Sequence, residues 1–504
     1  MLNVLKSTVK STAIYGIGNL SSRLIGFVLI PIYTSHLSIS EYGIMGMLEI
    51  SAQIIIALLG MGLYNAFFRW YWDEQYNGQQ KSILFTIIIT ILSLSIVFFI
   101  PIILYRKSLA IILLDSPQYS HLIILLYISS SIEVLNILIV TLIRIKDKPV
   151  LFTILMLTKL IISLSLNIYF VVFENKSVAG VYYAQIIGAS SFLILSSGFV
   201  LREVKFSLKT KILKEMLKYS SPLLIVALSG IVLNITDRYV LKFYTNMGEV
   251  GKYSLGFKLS NTIRVFIITS VNMALQPTIY KMIYEPNNKR FYSKVMTYYS
   301  FILMPFVLGI SIFGKEIIEL LSKNPDFNSG YKVIPIISLG LFFTMLRDTA
   351  LTGINISKKT HLTARIIIVS MIFNIFLSLL LVKQFGYIGA AVSVTVSQFI
   401  FFVLVYYYSQ KVFYIPYELK KIVLIIIVGF FLYGVTLFIP EVEITLRIII
   451  KVIVILFFPF LLLLLGFYDP IEKKRIIGFW NKWKNINQIR KNINILKEKE
   501  KEKK

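Results

Sequence analysis

Arg23, Lys159, Lys258 and Arg264 stand in stretches that are otherwise almost wholly apolar, and Asn19 and Asn261 share helical faces with two of them. A charge at the centre of a bilayer costs roughly 2.5–3.5 kcal/mol on insertion scales, so such groups face a bundle interior or a watery cavity. Cations gathered there attract an anion, and guanidinium groups present a planar fork of donors suited to phosphate or pyrophosphate. Helical spacing places Thr12, Gly16, Asn19, Arg23 and Gly26 on one stripe. It also aligns Ser254, Lys258 and Asn261, with Arg264 one turn beyond, and Lys159 with Ser163 and Asn167. The expected substrate-binding set is therefore Arg23, Lys258, Arg264, Lys159, Asn19 and Asn261.

Acids occupy similar positions. Glu49, Glu133 and Asp237 are the candidate sites for a coupling proton or sodium ion, beside the membrane potential as a driving force. The structural alternative is static pairing between helices, the usual way in which buried charges persist: Arg23 with Glu49, and Arg264 with a neighbouring acid. Asp237–Arg238 and Arg347–Asp348, adjacent in sequence, are expected to be structural pairs, and Arg447 and Lys451 to snorkel to an interface.

The elements that must position these groups are transmembrane helices. Of 504 residues, 57% are hydrophobic and 15% charged, the composition of a polytopic membrane protein. Apolar stretches of about 20 residues fall at 9–31, 43–65, 82–104, 120–141, 150–173, 181–201, 218–241, 253–277, 295–313, 332–353, 361–382, 386–409, 422–440 and 446–467. Lys6 and Lys10 precede the first, but Arg23 interrupts it, so it reads as an uncleaved span. The net charge of +27 gathers in short connectors and the C-terminal tail, which speaks for positive-inside topology with both termini cytoplasmic rather than for nucleic acid. The absence of cysteine excludes disulfides and thiolate chemistry, and three scattered histidines give no metal cluster. No connector is long enough for a catalytic domain, and no P-loop pattern occurs.

A repeat organises the spans. Glu41-Tyr42-Gly43 recurs as Glu249-Val250-Gly251, and Ser177-Val178-Ala179-Gly180 as Gly386-Tyr387-Ile388-Gly389, at offsets of 208 and 209. Six spans per repeat relate the halves by an axis along the membrane normal. The expected organisation is an N-terminal lobe over 1–217, a C-terminal lobe over 218–410, two extra helices over 411–468, and a basic tail over 469–504. In the tail, Ile476, Trp480, Trp483, Ile486, Ile489 and Ile493 recur at helical spacing among lysines, the pattern of a helix lying on an anionic leaflet.

These residues also carry a resemblance. Gly18 to Arg23, Pro31 with Ser40-Glu41-Tyr42-Gly43, Tyr219-Ser220-Ser221-Pro222, Asp237-Arg238-Tyr239, Gly251-Lys252-Tyr253 and Phe385 to Ala390, in that order, resemble the polysaccharide-transporter branch, with its Wzx-like flippases, of the multidrug/oligosaccharidyl-lipid/polysaccharide exporter superfamily. The resemblance covers roughly residues 5 to 470. It implies an all-α protein of about 14 transmembrane helices, with two six-helix lobes around a central cationic cavity plus two extra C-terminal helices. The implied activity is translocation of an undecaprenyl-pyrophosphate-linked oligosaccharide repeat unit (O-antigen, capsule or exopolysaccharide) from the inner to the outer leaflet of the bacterial cytoplasmic membrane. No cofactor is implied; the partners are the lipid-linked glycan, membrane lipids, and polysaccharide polymerase and chain-length machinery. The alternatives are a lipid II flippase, which the topology suits equally, and a membrane-embedded polymerase or ligase, which the short outer connectors disfavour. Basic groups in the lumen disfavour a cationic-drug exporter.

Overall fold

Where a connector meets a helix, the local chemistry of the repeat is visible in the computed structural model, which describes residues 26–440 and 443–474, Ala274 and Pro277 in backbone only. Ser38 caps the Ile39–Gly60 helix: its Oγ accepts from the Glu41 amide at 3.2 Å, and Glu41 Oε2 accepts from the Ser38 amide at 2.8 Å. Asn246 caps the Met247–Ile263 helix in the same way, accepting from the Glu249 amide at 3.1 Å. Side-chain caps satisfy amides that the first helical turn leaves without partners.

The glycines of the repeat then meet each other. A Cβ added at Gly43 would lie 2.0 Å from the Met247 carbonyl oxygen, and one added at Gly251 would lie 2.1 Å from the Ile39 carbonyl oxygen. Met247 stands to Ile39 as Gly251 stands to Gly43, so the contact is reciprocal, as a twofold relation requires. One turn along, a Cβ at Gly46 would lie 2.5 Å from Ser254 Oγ. Only residues without side chains let two backbones approach this closely.

The second repeat motif marks two sharp turns. A Cβ at Gly180 would lie 3.0–3.1 Å from Phe170, and one at Gly389 would lie 2.2 Å from the Leu381 carbonyl oxygen. In one continuous helix, residues eight apart are separated by about 12 Å along the axis, so the chain has turned back between Leu381 and Gly389. The pivot is Gly386 (φ +54°, ψ −133°), inside the continuous helical run Thr360–Val412. The expected spans 361–382 and 386–409 are thus two helices sharing a glycine corner.

Eleven described helices are long and apolar enough to cross a membrane, consistent with the expected fourteen spans. The 9–31 span lies mostly outside the described residues, spans 11 and 12 are counted as the one run broken at Gly386, and the 253–277 span is interrupted. It runs as α-helix Met247–Ile263, π-helix Arg264–Ile268 and α-helix Thr269–Lys281. The expected tail helix at 476–493 also lies outside the described residues.

Packing divides the chain into two compact units: the described part of Met1–Tyr292 with Phe313–Ile415, and Ser293–Ile312 with the described part of Pro416–Lys504. The first holds helices of both expected lobes. Within the second, Phe301 stacks on Phe467 with ring centroids 5.7 Å apart. Lys294 bridges Glu418 at 2.9 Å and Asp469 at 2.7 Å, and Lys421 bridges Asp469 at 2.7 Å. Lys451, expected to snorkel, is instead buried at 8% exposure and donates to the Ile312 carbonyl at 2.9 Å. Ile312 ends its helix, and a terminal carbonyl lacks a partner along the helix axis.

Candidate functional site

The intramembrane charges sort into pairs and a cavity. Lys258 Nζ lies 3.3 Å from Glu49 Oε1, joining the Met247–Ile263 and Ile39–Gly60 helices, and its Cε lies 3.5 Å from where a Cβ on Gly26 would stand. Lys159 Nζ lies 2.7 Å from Glu133 Oε2, and Asn136 Nδ2 donates to the same carboxylate oxygen at 3.3 Å. Glu133 and Asn136, with Tyr64, Asn65 and Arg144, line a cavity of about 390 Å³. Two of the expected cations are therefore partnered by two of the expected acids, across helices rather than along them.

The other cations converge. A cavity of about 480 Å³ in the first unit is lined by Arg238, Arg264 and Arg347, by the amides of Gln53, Asn234 and Asn261, and by Thr363, Phe257 and Phe401 among apolar neighbours. Arg238 comes from the Thr210–Tyr244 helix, Asn261 from the Met247–Ile263 helix, Arg347 from the Ile334–Ile356 helix, and Gln53 from the Ile39–Gly60 helix. Arg264 opens the π-helical segment. Single π-turns gather at functional sites. Here the Arg264 carbonyl accepts both the Thr269 amide, the backbone bond of the π-turn, and Thr269 Oγ1 at 2.8 Å.

Two of the guanidiniums lie against aromatic rings. Arg238 lies 4.3 Å from the Phe257 centroid and Arg347 lies 4.6 Å from that of Phe401, distances at which the ring quadrupole attracts a cation. Arg347 also donates to Asp348 Oδ1 at 2.7 Å and to Gln398 Oε1 at 2.9 Å. Arg238 is 7% exposed, and its Nε, like Thr363 Oγ1, makes no hydrogen bond within the protein. None of the described lining residues is acidic. Three guanidiniums and three amides around one cavity, with no carboxylate among its described lining residues, form a donor-rich surface for an anion.

Of the expected binding residues, Arg264 and Asn261 reach this cavity. Lys258 and Lys159 sit in their ion pairs, and Arg23 and Asn19 lie outside the described residues. Of the expected acids, Asp237 is fully buried and accepts a hydrogen bond from Tyr253 Oη. It does not form the expected ion pair with Arg238, which turns instead to Phe257. Arg347–Asp348 does pair, yet Arg347 also reaches the cavity. Sequence reasoning passed over Arg238 because adjacency to Asp237 suggested mutual neutralisation. The overlooked signal is the four-residue stripe Gly230, Asn234, Arg238, all of which line the cavity while Asp237 falls on another face.

Comparisons with known proteins give the same setting. The chain is 25% identical over 237 residues to an uncharacterized membrane protein of Methanocaldococcus jannaschii, covering 46% of each chain. It is 24% identical over 171 residues to the capsular polysaccharide biosynthesis protein CapF of Staphylococcus aureus, covering 32% of this chain and 43% of that one. It is 19% identical over 215 residues to Agl15 of Haloferax volcanii, named a probable low-salt glycan biosynthesis flippase, covering 41% and 44%. The matches thus span less than half the length of these curated relatives. The fold is similar to that of the lipid II flippase MurJ in an inward closed conformation (TM-score 0.71, 16% identity, 89% of this chain and 98% of that one). It is also similar to that of an inward-facing multidrug resistance MATE transporter of the MOP superfamily (TM-score 0.62, 15% identity, 77% and 94%). A family model described as polysaccharide biosynthesis protein matches residues 8–283, more than half of the chain, and the protein belongs to that polysaccharide biosynthesis family.

Proposed function

We propose that this protein is a flippase for an undecaprenyl-pyrophosphate-linked oligosaccharide repeat unit, with the pyrophosphate held in the arginine cavity. The observation that carries the reading is the convergence of Arg238, Arg264 and Arg347 on a cavity whose described lining holds no acid. A pyrophosphate offers an array of acceptors and no donors, and guanidiniums offer donors and no acceptor. Arg23, outside the described residues, is proposed as a further pyrophosphate ligand on its sequence position alone, and Lys258 and Lys159 as later stations for the phosphates once released from Glu49 and Glu133. Those two acids and Asp237 are the proposed sites for a coupling ion. The lobes over 1–217 and 218–410 rock about the site by alternating access, and the reciprocal glycine contact supports their twofold relation. The excess of Lys and Arg in alternate connectors favours a cytoplasmic-membrane protein with both termini cytoplasmic; the Gly43–Gly251 contact then closes the outer mouth.

The family description and the names of CapF and Agl15 favour a polysaccharide or glycan cargo over lipid II. The likeness to MurJ supports lipid II as the second reading. The test is transport by purified protein in proteoliposomes, with fluorescent undecaprenyl-pyrophosphoryl glycan as cargo. Arg264→Ala and Arg238→Ala should abolish transport, and Arg264→Lys should lose most of it, since lysine keeps the charge and loses the fork. Transport at wild-type rate by the alanine variants, at matched protein content, overturns the reading.

A further inference from the structure

Thr34 and Lys242 stand 208 residues apart, the offset that separates Gly43 from Gly251. Thr34 lies in the last turn of the Ile30–His36 helix and Lys242 in the last turn of the Thr210–Tyr244 helix. Each therefore comes just ahead of the capped start of one of the two helices that meet at those glycines. Both side chains cross from one proposed lobe to the other, and both end on carbonyls at the C-terminus of a helix. Thr34 Oγ1 donates at 2.8 Å to the carbonyl of Leu321, the last residue of the Gly314–Leu321 helix. Lys242 Nζ donates at 2.6 Å to the carbonyl of Ile112, in the last turn of the Gln80–Leu114 helix, and bridges Asp115, which caps that helix, at 2.7 Å. Terminal carbonyls lack a partner along their own helix and carry partial negative charge, so they take an outside donor readily.

We infer that these two crossings are latches on the mouth closed by the Gly43–Gly251 contact, related by the repeat but different in kind, one electrostatic and one buried. The inference concerns the opening equilibrium and needs no particular cargo. Glycines let the two helices approach but supply no directional bond between them; the crossings supply it. Opening separates the Ile39–Gly60 helix from the Met247–Ile263 helix, and each crossing ties the chain just ahead of one of them to the far lobe, so both bonds break when the mouth opens. The Lys242–Asp115 pair, with side chains 14% and 51% exposed, is within reach of dissolved ions. Thr34 is fully buried. Beyond Leu321, in the Pro325–Val333 segment, Phe327 sits edge-on against Tyr42 with ring centroids 5.4 Å apart, both rings buried. Salt therefore acts on the first latch and not on the second. Thr34 Oγ1 also lies 3.0 Å from the Ile30 carbonyl of its own helix, so the hydroxyl keeps a partner on release and opening orphans no buried donor there.

The test reads the mouth without cargo, so its outcome is separate from that of the transport assay. Full-length protein in nanodiscs carries Ser254→Cys beneath the glycine contact as its single thiol, and opening is read as the rate of labelling by an uncharged, water-soluble maleimide. Raising sodium chloride from about 0.1 M to about 1 M shortens the screening length from about 10 Å to about 3 Å. It should speed labelling about two- to fivefold, the range of an exposed ion pair. Lys242→Gln and Asp115→Asn should each give that gain at low salt and remove the response to salt. Thr34→Val, which keeps the branched shape and loses the hydroxyl, should speed labelling about two- to tenfold at both salt concentrations. The salt series on the reporter protein needs no latch substitution, so it decides the matter even if a variant fails to fold. Labelling indifferent to salt, or a salt response undiminished in Lys242→Gln, overturns the electrostatic latch, and an unchanged rate in folded Thr34→Val overturns the buried one.

Discussion

Gly251 offers the sharpest test of whether the close approach of the repeat motifs is a closed mouth that opens. A Cβ there would stand 2.1 Å from the Ile39 carbonyl oxygen, and ordinary van der Waals contact begins at 3.4 Å, so Gly251→Ala forces the two backbones apart by about 1.3 Å. Both atoms belong to helix backbones, which cannot rotate away as a long side chain can. Overpacking of this kind costs about 1–3 kcal/mol. Borne only by the closed arrangement, that cost multiplies the open population about 5–150-fold. The chain has no cysteine, so Ser254→Cys, one turn below the contact and 6% exposed in the wild type, is a single reporter. Its labelling by a water-soluble thiol reagent should accelerate at least about fivefold in the Gly251→Ala background and comparably with Gly43→Ala. Gly198→Ala should not change it, since a Cβ there meets nothing within 4 Å. A fall in melting temperature without faster labelling would refute the reasoning, because the contact would then be fixed packing.

Three further outcomes are expected. The bridges from Lys294, and then Lys421, hold the Asp469 carboxyl down at about 2; its stabilisation is present above the ordinary carboxylate range of about 4 and is lost as pH falls through about 2. Asp469→Asn should therefore lower the melting temperature at neutral pH, with the difference from wild type shrinking between pH 4 and 2; a constant difference contradicts this. The Glu49–Lys258 pair is part-exposed, at 40% and 23%, so a double-mutant cycle read by thermal unfolding in detergent should give a coupling below about 1 kcal/mol, and a value several times larger would show a desolvated bridge. Gly386→Ala places a side chain at φ +54° and should cost about 1–3 kcal/mol, whereas Gly434→Ala, in open helical surroundings, should be neutral or slightly stabilising; equal effects would remove the glycine corner as a special position.

Much of the architecture is legible in the sequence, because a bilayer admits few solutions: apolar runs of span length must be helices that satisfy their own backbone. The repeat is legible too. Glycine recurs at 43 and 251 and at 180 and 389, where the chain passes close to another backbone: a Cβ would lie 2.0–2.2 Å from a carbonyl oxygen at 43, 251 and 389, and 3.0–3.1 Å from Phe170 at 180.

The sequence by itself therefore determined the spans, the repeated motifs in the connectors between them, and the presence of cations within the membrane. Tertiary structure decided which of those cations share a cavity. Periodicity assigns a residue to a face of its helix, but whether that face meets an acid, an aromatic ring or open space depends on neighbours distant in sequence. Thus Lys258 and Lys159 meet Glu49 and Glu133, whereas Arg238, adjacent to an acid in sequence, turns from Asp237 to Phe257 and joins Arg264 and Arg347. Consecutive residues on a helix point about 100° apart, so adjacency along the chain is a poor guide to pairing, and the site forms only when five helical runs and one π-turn bring their faces together.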